Sequence, residues 1–183
     1  MKHKAVFLDR DGPLVIDKKY MGDPALIEFA PDAVPGCKLL HASGFKLVII
    51  SGQSGVARGK FSLADMWAVH TRVIEIFRAA GVEFDGAYYC PHGPDDNCAC
   101  RKPKPGMVEQ AVRELDLDPA QSAALGDKPS DLELGRNSSC RWSVLVGEKE
   151  GEPLTPEQEH LADYRCQTLL QAAEWVVRQE SSG

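Results

Sequence analysis

The chain has 183 residues, 43% of them hydrophobic and 26% charged, proportions that exclude a disordered, collagenous or coiled-coil protein. That length suits a single domain, expected to span residues 1–183, with a core that needs no staples. Lys and Arg number 21 against 27 Asp and Glu, a net charge of -6, which argues against a nucleic-acid or anionic-membrane partner but leaves room for a local basic site that takes a phosphorylated small molecule.

In chain order, Met1-Lys2-His3-Lys4 leads within a few residues into Asp9-Arg10-Asp11, leaving no space for the apolar stretch of a secretory leader. A reducing cytoplasm is therefore expected. Lys4 to Leu8 and Lys46 to Ser51 are short apolar runs bounded by turn residues, the pattern of strands buried on both faces of a parallel sheet. The run Leu47-Val48-Ile49-Ile50 is among the longest and falls far short of the roughly 18 residues of a membrane helix. Met66, Val69, Val73, Ile76, Phe77 and Ala80 recur at helical spacing, and Phe84 to Tyr89 predicts a third strand. Val108, Ala111, Val112 and Leu115 predict the next helix, followed by strands at Ser122 to Gly126 and Trp142 to Val146. Gly147 to Pro156 reads as loop, and Leu169, Leu170, Ala173, Trp175, Val176 and Val177 mark a last helix that ends before polar Arg178-Gln179-Glu180. This alternation predicts an α/β fold, a doubly wound parallel sheet with right-handed crossovers. No internal repeat or linker divides the chain.

In such a sheet, ligands gather beyond the carboxyl ends of the strands. After the first strand, Asp9-Arg10-Asp11-Gly12 sets two carboxylates on one side of an extended backbone. One can attack phosphorus while the other protonates the leaving oxygen, with a divalent cation bridging acids and phosphate. A solvated turn has the same local signature. The second strand runs into Ser51-Gly52-Gln53-Ser54-Gly55, either a phosphate cradle or an ordinary turn, and Arg101-Lys102-Pro103-Lys104-Pro105-Gly106 supplies cations for phosphate or a solvated basic turn. In Gly126-Asp127-Lys128-Pro129-Ser130-Asp131, Asp127 can complete a magnesium site, and Asp131 either orients Lys128 or favours the helix N-terminus. Four independent solvated turns would rarely present acid, hydroxyl, cation and acid in succession. The coincidence favours one phosphate-handling site.

Cys90, His92, Cys98 and Cys100 form a separate set, three thiolates and an imidazole suited to tetrahedral zinc. Four protein ligands leave no open position, so the zinc is expected to be structural, in a loop at about 90–105 that holds Arg101 and Lys102 in place. Cys37, Cys140 and Cys166 read as ordinary free thiols, and His3, His41, His70 and His160 as surface or helix-face residues.

Together these runs resemble the haloacid dehalogenase-like phosphohydrolases, most securely from Lys4 to about Arg136. Within that superfamily, Asp-Arg-Asp-Gly, Gln-Ser-Gly-Val-Ala-Arg-Gly, Cys-Pro-His, Cys-Ala-Cys-Arg-Lys-Pro-Lys-Pro-Gly-Met and Gly-Asp-Lys are similar to the D-glycero-D-manno-heptose bisphosphate phosphatases. The resemblance implies Asp9 as a nucleophile that forms an aspartyl phosphate and Asp11 as general acid and then base. Ser51 and Lys102 would stabilise the transferring phosphoryl group, and Arg101 would recognise substrate. It places Mg2+ on the Asp9 side chain, the Asp11 backbone carbonyl and Asp127. Asp17, Lys18, Lys19 and Tyr20 would contact substrate, joined by Gly52, Gln53, Ser54 and Lys128. It further implies a small phosphorylated sugar as partner, a monomer, and no large cap domain.

The expected reaction removes the C7 phosphate of a heptose 1,7-bisphosphate. A histidinol-phosphate phosphatase shares the zinc loop and the acids, but Gln53-Ser54-Gly55-Val56-Ala57-Arg58-Gly59 is closer to the heptose enzymes. A reading of another class is a binding or regulatory protein that kept fold and zinc and lost turnover. The chain departs from the family pattern at Pro13, where Thr or a small aliphatic residue is usual, at Val15, where Asn is common, and at Ser51-Gly52, where Thr-Asn is usual. If residues 101 and 102 are extended, Lys102 faces the transferred phosphate and Arg101 points elsewhere.

Overall fold

Ala5–Leu8, an apolar run with every residue buried, forms β1, the middle of a six-stranded parallel sheet in the computed structural model, which describes residues 2–148 and 151–182. The remaining elements follow in order: α1 (Ala33–Ala42), β2 (Lys46–Gly52), α2 (Leu63–Ala79), β3 (Gly86–Cys90), α3 (Gly106–Leu115), β4 (Ala123–Gly126), α4 (Pro129–Asn137), β5 (Trp142–Val146), β6 (Tyr164–Cys166) and α5 (Leu169–Ser181). The sheet runs β3-β2-β1-β4-β5-β6, so strand order reverses between β1 and β4, and the crevice at that reversal is where a ligand site forms.

Alternation along the strands explains why both sheet faces are covered. Val6, Leu8, Leu47, Ile49, Leu125 and Val144 pack against α1, α2 and α5, while Ala5, Phe7, Val48, Ile50 and Ala124 pack against α3 and α4. Helix starts are chemically marked: Ser62 and Asp65 form a capping box for α2, and Thr168 and Gln171 form one for α5.

The five predicted strands and three predicted helices are present, the strand ends shifted by at most two residues and β5 matching throughout, while α2 starts three residues before Met66 and α5 runs on through Arg178-Gln179-Glu180 to Ser181, beyond its predicted end. The periodicity did not reveal α1 or β6. Pro35 and Gly36 interrupt the helical signal of α1, yet Gly36 is what lets it approach α5, because a Cβ there would lie 2.8 Å from the Leu169 backbone carbon. β6 is only three residues, partly exposed at the sheet edge, too short for a pattern. Lys149 and Glu150, within the predicted loop, lie outside the described residues.

Candidate active site

The carboxyl ends of the central strands open into a cleft of about 690 Å³. Asp9 lies at its floor immediately after β1, where its N–H donates to the Leu125 carbonyl of β4 at 2.9 Å and so fixes it across the strand reversal. The Asp9 carboxylate accepts from the Arg10 N–H at 2.9 Å, faces Lys102 Nζ at 3.0 Å and lies 3.6 Å from Lys128 Nζ. Burial by itself would raise its pKa. The Lys102 and Lys128 ammoniums outweigh that effect and hold Asp9 below the usual carboxylate range, ionised as a nucleophile must be.

The chain then turns tightly. Leu14 and Val15 donate to the Arg10 carbonyl and Gly12 donates to that of Val15, so Pro13 sits where none of these bonds requires its missing N–H. Gly12 has φ +111, and a Cβ there would lie 2.5 Å from Asp127 Oδ2; only glycine allows this approach. Asp11 also lines the cleft, its two oxygens held by Arg10 Nε at 3.0 Å and Arg10 Nη2 at 2.8 Å, with Gln53 Nε2 donating at 2.9 Å.

Of the expected substrate contacts, Asp17, Lys19, Tyr20, Gly52, Gln53, Ser54, Arg101, Lys102 and Lys128 line the cleft. Two are placed otherwise. Ser51 is wholly buried beneath it, its Oγ accepting from Gln53 Nε2 at 2.9 Å, and Lys18 pairs with Glu28. Gly52 has open space where a side chain would project. Arg101 and Lys102 both face the cleft because residues 101–105 form turns, which corrects the extended-chain expectation that separated them. Arg101 Nη1 also donates to the His92 carbonyl at 3.3 Å.

Asp131 completes the polar floor. Its Oδ1 accepts from Lys102 Nζ at 2.7 Å and its Oδ2 from the Lys128 backbone N–H at 3.1 Å, so it orients Lys102 as well as capping α4. Sequence reasoning placed Asp131 near Lys128 and missed Lys102, which is distant in the chain. Met21, Phe61, Gly151 and Glu152 are further lining residues outside the sequence runs singled out, and Ser130 lines it from within the run after β4. Gly22 and Gly55 mark Phe61 indirectly, since a Cβ at either would collide with its side chain.

Asp9, Asp127 and Asp131 offer carboxylate oxygens that all lie within 4.8 Å of one another. Burial, reinforced by the charge of Asp9, pushes Asp127 up to about 7. Asp127 Oδ1 is buried without a hydrogen bond among the described residues; Lys128 Nζ, 3.3 Å away, makes an ion-pair contact outside hydrogen-bond geometry. Crowded acid with an unused hard oxygen is the donor set that a magnesium ion fits.

At the end of β3 and in the segment that follows it, Cys90, His92, Cys98 and Cys100 converge with all donor atoms within 4.8 Å. Cys90 Sγ is 3.6 Å from His92 Nδ1, 3.7 Å from Cys98 Sγ and 3.2 Å from Cys100 Sγ. Donors bound tetrahedrally at zinc distances are about 3.3 to 3.8 Å apart. The cluster is tied to the loop after β2, because the Gln53 N–H donates to the Cys90 carbonyl at 2.7 Å and that of Ala57 to the Pro91 carbonyl at 3.2 Å.

The model of the haloacid dehalogenase-like hydrolase family matches residues 2–138. A D-glycero-beta-D-manno-heptose-1,7-bisphosphate 7-phosphatase of Haemophilus influenzae is 41% identical over 175 residues, covering 92% of this chain and 94% of the relative. The protein of that name from Escherichia coli K12 is 35% identical over 183 residues, covering 96% and 95% respectively. Among solved structures, a D,D-heptose 1,7-bisphosphate phosphatase from B. bronchiseptica, complexed with magnesium and phosphate, matches with a TM-score of 0.80 at 31% identity, covering 96% of this chain and 99% of that one.

Proposed function

The chain belongs to the haloacid dehalogenase-like hydrolases, closely related to the D-glycero-D-manno-heptose-1,7-bisphosphate phosphatases, and from that premise we propose that it removes the C7 phosphate of that sugar bisphosphate. The observation that carries the reading is the ionised Asp9 carboxylate at the cleft floor, flanked by Lys102 and Lys128. An Asp9 oxygen attacks phosphorus as the bond to the sugar oxygen breaks, and Asp11 gives that oxygen a proton. Asp11 then takes a proton from water as the water oxygen displaces Asp9 from phosphorus. Lys102 stabilises the charge that spreads over the equatorial oxygens, and Lys128 and Arg101 hold the substrate from the wall. Asp9, Asp127 and the Asp11 backbone carbonyl would hold Mg2+, which would supply charge neutralisation between nucleophile and phosphate.

We assign Cys90, His92, Cys98 and Cys100 to one structural Zn2+ that stiffens the segment carrying Arg101 and Lys102. The segment between β1 and α1 holds only a short 3-10 helix, Pro24–Leu26, and that between β3 and α3 no helix or strand, which supports a core without a large cap. Packing of α5 against α1 supports one domain over residues 1–183, and a cleft built by one chain supports action as a monomer. None of the six cysteines forms a disulfide, which supports a reducing cytoplasm, and no helix among the described residues is long and apolar enough to cross a membrane.

The test is a panel of phosphate esters with magnesium: the heptose 1,7-bisphosphate, its 1-phosphate and histidinol phosphate. Release of one phosphate from the bisphosphate, leaving the 1-phosphate intact, is expected. Preference for histidinol phosphate would transfer the assignment to that substrate, and binding without turnover would favour a regulatory protein.

A further inference from the structure

We propose that Arg10 is a positioning residue that sets the plane of the Asp11 carboxylate for proton transfer, a role that rests on the phosphatase reading. Arg10 lies between the two acids in sequence, yet its side chain is fully buried. Nε donates to Asp11 Oδ1 at 3.0 Å and Nη2 to Asp11 Oδ2 at 2.8 Å, a fork on a fork that fixes the plane of the carboxylate as a single ammonium cannot. The third nitrogen, Nη1, has no hydrogen-bond partner among the described residues, so every side-chain hydrogen bond that this buried guanidinium makes there goes to Asp11. Packing alone would be better served by an apolar residue, because a buried cation with an unused N–H opposes folding.

The surroundings hold the fork still. The Tyr89 ring of β3 lies with its centroid 6.0 Å from the guanidinium carbon, and the Tyr89 hydroxyl is 2.8 Å from His70 Nδ1 on α2. Trp67 packs edge-on against both rings. From the other side Gln53 Nε2 donates to Asp11 Oδ2 at 2.9 Å. Oδ2 therefore receives two donors and Oδ1 one, and with two lone pairs on each oxygen Oδ1 keeps the free one. The geometry points to Oδ1 as the atom that carries the proton to the sugar oxygen and later takes one from water.

Such a role has a signature that loss of structure lacks. An alkoxide leaving group needs the proton as its P–O bond breaks, whereas p-nitrophenolate departs as an anion and needs it little. Arg10→Lys keeps the charge but loses the fork, and Tyr89→Leu removes the ring beside the guanidinium. In Arg10→Lys, the first phosphoryl transfer, followed in a single turnover so that the shared hydrolysis step does not enter, should slow about 30-fold or more on the heptose bisphosphate, while the first-turnover release of p-nitrophenolate from p-nitrophenyl phosphate slows less than about fivefold. Tyr89→Leu should show the same split at about three- to tenfold and decides the matter if Arg10→Lys does not fold. Parallel loss on both esters, or no loss on either, would overturn the role of Arg10 while leaving the phosphatase reading in place. Failure of the parent protein to hydrolyse either ester would remove that reading, and this role with it.

Discussion

Asp131 Oδ1 and Lys102 Nζ lie 2.7 Å apart, in a pair whose side chains are 4% and 9% exposed, and this contact aims the ammonium at Asp9 Oδ1, while Lys128 approaches Oδ2. Burial alone would lower the Lys102 pKa, but Asp131 and Asp9 outweigh it and keep the group protonated. Replacing Asp131 by Asn keeps the volume and removes the charge that orients Lys102. We expect Asp131→Asn to lower kcat about 10- to 100-fold with a smaller change in KM. Lys102 keeps Asp9 as a partner, so no cation is stranded and the loss of stability should stay below the about 3 to 5 kcal/mol of a buried pair broken outright. Steady-state kinetics and urea unfolding test both, and an unchanged kcat would mean that Asp9 alone places Lys102.

Asp9→Asn should abolish turnover, by a factor of at least about 10³, because an amide cannot act as the attacking group. The fold should persist: Lys102 keeps Asp131 as partner and Lys128 keeps Asp127, so no cation is stranded. Circular dichroism should match the parent protein. Activity within tenfold of the parent would end the assignment of Asp9 as nucleophile.

A pH effect follows from Asp127, whose pKa burial and the charge of Asp9 raise from 3.8 to about 7. The folded protein then binds a proton that the unfolded chain has released, so in magnesium-free buffer stability falls as pH rises from about 4 to 7. Asp127→Asn lacks this titration. Its stability relative to the parent should rise by on the order of 2 to 4 kcal/mol between pH 4 and pH 8, and added magnesium should close the gap by favouring the ionised parent. Parallel stability curves for the two proteins without magnesium would show that Asp127 titrates normally.

Five of the six strands were legible because they are short, largely apolar runs, and most of the site because these strands end in chemically distinctive segments. What the sequence withheld is long-range: Asp131 meets Lys102, and Arg10 meets Tyr89, only because the strand order brings these distant segments together. Arg10 is a plain instance, since its position in a recognisable motif does not disclose that its side chain turns inward. Ser51 misled for the opposite reason. A hydroxyl at a strand end suggests a ligand contact, yet Ser51 lies within β2, fully buried, with Gln53 Nε2 donating to its Oγ.

Metal removal gives the next expectation. About one zinc per chain should survive dialysis without chelator, and Cys98→Ser should lose it. The loop around these donors contributes little core of its own, since Cys98 and Cys100 are only partly buried, so the metal must supply much of its order. Thermal unfolding of Cys98→Ser should begin several degrees below that of the parent, and KM should rise as Arg101 and Lys102 lose their support. A protein prepared without chelators and found free of zinc by elemental analysis would refute the assignment.

Arg101 and Lys102 both face the cleft, so their separate duties must come from their surroundings. Lys102 is buried between Asp9 and Asp131 beside the reacting phosphate, and Lys102→Ala should act mainly on kcat because charge there develops in the transition state. Arg101 is bound to the His92 carbonyl at 3.3 Å and stands nearer the metal loop, where it can grip substrate oxygens that do not change charge during reaction. Arg101→Ala should therefore raise KM and leave kcat within a few-fold. Loss of a bidentate charged contact should cost about 2 to 3 kcal/mol in kcat/KM, or roughly 30- to 150-fold. The weak bond to His92 raises a second route to the same loss, loosening of the loop, and zinc content separates them: a variant that keeps its zinc and shows the raised KM has lost a substrate contact. If Arg101→Ala left kcat/KM for the heptose bisphosphate unchanged, its role in recognising that substrate would have to be withdrawn.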